Sequence, residues 1–90
     1  MTFTDFKKYG VSPKHLAKLL NISRVAASNW INGHTAPHPL LDKRANAVLN
    51  AVDQAVTDGD LPPPKEFKGL ERDNHILGCI ARRIVKKTRP

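Results

Sequence analysis

The sequence predicts an all-α protein: a compact bundle of about four to five short helices, followed by a C-terminal helix beyond a proline-rich spacer. Three observations predict it. No stretch alternates apolar and polar residues with the period of two that marks a half-buried strand. Apolar residues instead recur at spacings of three and four, the rhythm of a helix with one face buried. Glycines punctuate these runs: Gly10, Gly33 and Gly59 each follow one, where a residue at positive φ readily stops a helix.

The first run, Thr4–Tyr9, is short and ends at Gly10. Ser12-Pro13 then marks a helix start, with Ser12 as N-cap and Pro13 at the first helical position, where its missing N–H is no loss. The pattern predicts a helix over 13–20 with Leu16, Ala17 and Leu20 on one face. Asn21 follows, one of the few residues besides glycine that enters the left-handed region at little cost. Ser23 is a second N-cap, opening a helix over 24–32 on which Ala26, Ala27, Trp30 and Ile31 share a face. The segment 34–38, with Pro37, reads as loop. Pro39 starts a longer helix over 40–58, striped by Leu41, Ala45, Val48, Leu49, Val52, Ala55 and Val56. Leu61-Pro62-Pro63-Pro64 reads as an extended, semi-rigid spacer. A last helix over 69–87 aligns Leu70, Leu77, Ile80, Ala81 and Ile84, with Gly78 weakening it by about 1 kcal/mol relative to alanine. The organisation expected is therefore a domain over 1–60, a spacer over 61–68 and a basic C-terminal helix over 69–90.

Charge says more about partners than about fold. The 90 residues carry 15 Lys plus Arg against 8 Asp plus Glu, a net +7. The surplus is segregated: +5 over residues 1–44, −3 over 45–60 and +5 over 61–90. This points to nucleic acid first and to an acidic protein or anionic surface second. The lone Cys79 excludes an internal disulfide and fits a reducing cytoplasm. No stretch approaches the roughly 20 apolar residues of a membrane helix, and the N-terminal MTFTDFKKYG lacks the apolar core of a secretory signal. Neither a nucleophile–base–orienter set nor a Gly-rich phosphate loop is visible, so no enzyme and no cofactor are expected. His34 and His38 are four apart, but a proline lies between them and no Cys or carboxylate cluster completes a site, so no metal is expected.

Residues 12–33 carry the function. Two short helices joined by a tight turn, the second rich in small polar residues, form a helix-turn-helix pattern. The stretch SPKHLAKLLNISRVAASNWING resembles the DNA-binding motif of the Cro and lambda-type phage repressor family. Ala17 stands where that family keeps a small residue so that the helices can approach. Asn21 stands at the turn position usually held by glycine, and Ile22 follows as the turn hydrophobe. Ala27 takes the site of a buried, commonly β-branched residue, Trp30 the second core position, and Asn32-Gly33 matches the family's common ending. Pro13 departs from the pattern, standing where many members carry a phosphate-contacting Gln. The resemblance covers roughly residues 3–58. It implies a transcriptional repressor that binds a pseudopalindromic double-stranded DNA operator as a homodimer, in the cytoplasm of a bacterial host and of phage or prophage origin.

Placed in the motif, the outward residues acquire roles. Arg24 can donate two hydrogen bonds to guanine, Asn29 can pair with adenine, Val25 can touch a thymine methyl, and Ser28 is permissive. Ser23 can contact phosphate while capping its helix. Lys14 and His15 sit in the first turn of their helix, where cations oppose the helix dipole by about 0.3–1 kcal/mol each and a phosphate would reverse the sign. His34, Thr35, Lys43 and Arg44 complete the expected backbone contacts. The motif core is Leu16, Ala17, Leu20, Ile22, Ala27, Trp30 and Ile31.

The C-terminal helix has three readings. It pairs with a second copy through Leu77, Ile80 and Ile84, with Arg82, Arg83 and the basic end through Arg89 alongside. Alternatively it completes its own chain's core while its basic end grips phosphate, or it is a solvated tail. In the first reading Cys79 forms an intermolecular disulfide in air. Two other classes of function stand beside DNA binding: an antitoxin-like or anti-repressor module for a protein partner, and an RNA-binding module, which 6% aromatic content disfavours.

Overall fold

The structure, a computed structural model, describes residues 1–88, without the side chains of residues 85–88. All its regular elements are helical. A 3-10 helix, Phe3–Tyr9, opens the chain, and its three-residue period puts Phe3 and Phe6 together inside. Gly10 stops it at φ 82°. An alanine Cβ there would lie 2.5 Å from Arg72 Nη2 and 3.2 Å from Pro63 Cδ, so the residue serves both the turn and the approach of two distant segments.

Helix α1, Pro13–Leu20, begins after an extended Ser12 and ends at Asn21, which adopts φ 54°, ψ 49°. Helix α2, Arg24–Ile31, is capped by Ser23, whose Oγ accepts the Ala26 N–H at 3.1 Å. Both local readings agree with this geometry. The predicted long helix is divided: Pro39–Leu41 forms a 3-10 turn, and helix α3 is Asp42–Thr57. The division follows from His38, whose carbonyl accepts from Leu41 N–H at 2.8 Å and whose ring accepts from Leu40 N–H at 3.1 Å. Helix α4 is Gly69–Thr88.

One core unites these elements. Phe3, Phe6, Leu16, Leu20, Ala27, Trp30 and Ile31 from the first half meet Ala45, Val48, Ala51, Val52 and Ala55 of α3 and Ile76, Cys79 and Ile80 of α4. Trp30 is core, its ring 5.5 Å from that of Phe3. The spacer does not project α4 away. Leu61 is buried, the Leu61-Pro62 peptide is cis, and α4 lies against α3 and α1. The radius of gyration, 12.3 Å, is that of one folded domain of this length, about 12 Å.

The pairing reading of α4 is corrected at Ile80 and Arg83. Ile80 is fully buried in its own chain's core, and Leu77 and Ile84 are half-buried, so the middle of the stripe packs within the chain. Arg83 is spent internally: its guanidinium donates to Asp58 at 2.8 Å, to Asp60 at 2.6 Å and to the Cys79 carbonyl at 2.8 Å. Arg82 stays exposed, 3.4 Å from Asp60. Leu70, expected in the stripe, is 74% exposed. Cys79 is buried, its thiol donating to the Ile76 carbonyl and burial pushing its pKa up, which removes the expected disulfide with a second copy. Arg89 lies outside the described residues.

Candidate nucleic-acid interface

The α1–turn–α2 unit brings Lys14 and Lys18 of α1 and Arg24 of α2 to one depression. Ala27, Trp30 and Ile31 pin the inner face of α2, and Ala17 and Ile22 are half-buried against the core. What remains outward is the first turn of α2. Arg24 is exposed with no hydrogen bond or ion pair among the described residues, and Val25 is 71% exposed. One turn on, Ser28 and Asn29 are half-buried. Ser28 Oγ accepts from Asn32 Nδ2 at 3.2 Å, and the Asn29 carbonyl takes the N–H groups of His34 and Thr35 at 2.8 and 3.4 Å. Their backbones thus close the end of α2, while the His34 and Thr35 side chains stay exposed.

The expected phosphate contacts divide. Ser23, Lys14 and Lys43 are exposed. Arg44 is exposed too but already engaged, its Nη2 donating to the Leu20 carbonyl at 2.9 Å, where a cation satisfies the C-terminal end of α1. His15 is a correction: its side chain is 1% exposed, and both ring nitrogens have partners. Nδ1 accepts the Ser12 N–H at 3.0 Å, in the place that Glu or Gln takes in a capping box. Nε2–H therefore donates to Asp73 Oδ1, at 2.8 Å. No ring atom is left for DNA.

Asp73 was not among the contacts expected from the sequence. Its other oxygen accepts from Lys14 Nζ at 2.9 Å, so one carboxylate from α4 neutralises the basic first turn of α1. The hydrogen bonds from Lys14 and then His15 hold this carboxyl below the usual carboxylate range. Burial holds the His15 imidazole below its ordinary value against the pull of Asp73, with Lys14 and Arg72 adding to the lowering. The sequence held a general signal, since a cation such as Lys14 in the first turn of a helix calls for an anion, but nothing in it pointed to Asp73. The anion present belongs to the chain itself. Around it lies an open depression of about 170 Å³ lined by Lys14, Lys18, Arg24, Leu70, Asp73 and Asn74 among others.

No group of three or more His, Cys, Asp or Glu side chains among the described residues is placed to hold a metal ion. No helix there is long and apolar enough to cross a membrane. Comparison of the chain with protein-family models, curated proteins and solved structures finds no match.

Proposed function

We propose that the chain is a sequence-specific double-stranded DNA-binding regulator of the Cro and lambda-type kind, a repressor that acts by occluding a promoter. The observation that carries this reading is the state of the α2 N-terminus. Arg24 and Val25 stand exposed on the first turn of a helix whose opposite face is fixed in the core and whose entry is set by left-handed Asn21. A recognition helix reads base edges from that turn. Arg24 takes a guanine, Val25 a thymine methyl and Asn29 an adenine, while Ser23, Lys14, Lys43, His34 and Thr35 hold the sugar-phosphate backbone. Two copies bind an inverted repeat with half-sites about 34–36 Å apart, because one module covers too little DNA for tight specific binding.

The experiment is selection of bound sites from random duplex DNA. The reading predicts enrichment of an inverted repeat; recovery of no preferred sequence contradicts it. A second reading, a module for a protein partner, is favoured by a mostly apolar depression of about 270 Å³ lined by Leu19, Leu20, Ala47, Val48 and Ile84 together with Lys43 and Arg44. The absence of an enriched sequence, with retained folding, selects that reading instead.

A further inference from the structure

We propose that Asp73 sets the strength of DNA binding by holding, from within the chain, the place beside Lys14 that a DNA phosphate takes on binding; this rests on the DNA-binding reading above. Asp73 is the one acid lining a depression whose basic members are Lys14, His15, Lys18 and Arg24. It reaches there from another helix, fifty-eight residues along the chain from His15, and accepts from both first-turn basic side chains of α1, the Lys14 ammonium and the neutral His15 imidazole.

The two grips differ. His15 is buried, so its bond to Oδ1 keeps the carboxylate in place. Lys14 is half-exposed, so its ammonium is free to turn outward. A phosphate arriving at α1 therefore exchanges with Asp73 for Lys14 and meets a fixed like charge behind it. The neighbouring cations Lys18 and Arg24 have no acid of their own among the described residues, so the penalty falls at one position of the interface. It acts through charge, not through base edges, and is the same on every sequence.

Asp73→Asn tests this, because the amide oxygen still accepts from His15 Nε2–H while the charge is gone. Wild type and variant are titrated into two fluorescein-labelled duplexes, one carrying the selected site and one of unrelated sequence, across a salt series. The variant should bind both about two- to fivefold tighter, the worth of one surface pair. Its log–log salt slope should be steeper by about 0.9, the worth of one phosphate. Glu71→Gln, on the same helix but outside the depression, removes the same charge and should change neither by as much. Asp73→Thr, another neutral acceptor, repeats the comparison in case the Asn variant fails to fold. Wild-type binding that neutral variants leave unchanged or weaken, or that Glu71→Gln strengthens equally, overturns the role of Asp73 and leaves the DNA reading standing. If wild type and variants all bind neither duplex, both fall.

Discussion

His15 and Asp73, on different helices, are joined by a hydrogen bond of 2.8 Å that a neutral imidazole donates from Nε2. Nδ1 must stay unprotonated, since it accepts the Ser12 N–H at the start of α1. Protonating His15 sets an N–H against the Ser12 N–H and costs that bond, leaving Ser12 Oγ, 3.0 Å from Nδ1, as the acceptor for the new proton.

The first prediction is acid sensitivity. The folded-state pKa of His15 is lowered, by burial first, so as pH falls the unfolded chain takes the proton before the folded one. The contribution is fully present above the ordinary histidine value of about 6.5 and is lost as pH falls from there through the folded value. The groups that face the ring from its own and the neighbouring helix are Ser12, Lys14, Arg72 and Asp73. Urea midpoints measured between pH 7.5 and 5 should fall for wild type. His15→Gln keeps an acceptor for the Ser12 N–H but does not titrate, so its midpoints should fall less. Parallel curves for the two proteins contradict this.

Arg83 is predicted to fasten α4 to the end of α3. Its side chain is 12% exposed and bonded to two carboxylates and one carbonyl. Because Asp58 and Asp60 are partly exposed, solvent screens the pairs. Arg83→Ala should therefore cost about 1–2 kcal/mol in urea unfolding, at the low end for charged hydrogen bonds. Arg82→Ala, exposed with one long contact to Asp60, should stay within about 0.5 kcal/mol of wild type.

Gly10→Ala is predicted to destabilise by about 1–2 kcal/mol from its positive φ alone. The contact of the new Cβ with Arg72 and Pro63 adds to that unless the guanidinium moves aside. Gly59→Ala shares the positive φ but has open space, so the difference between the two variants isolates the close approach. Equal losses would show that the approach contributes nothing.

The parts of this molecule legible in its sequence are those governed by local rules. Pro13 at the first position of α1, Ser23 capping α2, Asn21 in the left-handed region and Trp30 in the core each follow from a residue and its neighbours within four positions. The parts that were not legible are contacts between distant residues. His15 with Asp73, Arg44 with the Leu20 carbonyl and Arg83 with Asp58 and Asp60 all involve polar or charged side chains that, taken alone, belong to solvated helix faces. The stripe on α4 announced that this helix packs against something. It carried no information on whether that was its own chain, because the same apolar face suits either partner; Ile76, Cys79 and Ile80 in the shared core decide it.

In the proposed function the first turn of α2 reads bases. The most direct measurement compares wild type with Arg24→Ala on the selected site and on the same site changed one base pair at a time. Arg24→Ala should lose about 1–3 kcal/mol on the selected site and its preference at one base pair, with the remaining preferences intact. A loss of equal size on every duplex, with all preferences retained, would contradict it and leave Arg24 as a phosphate contact only.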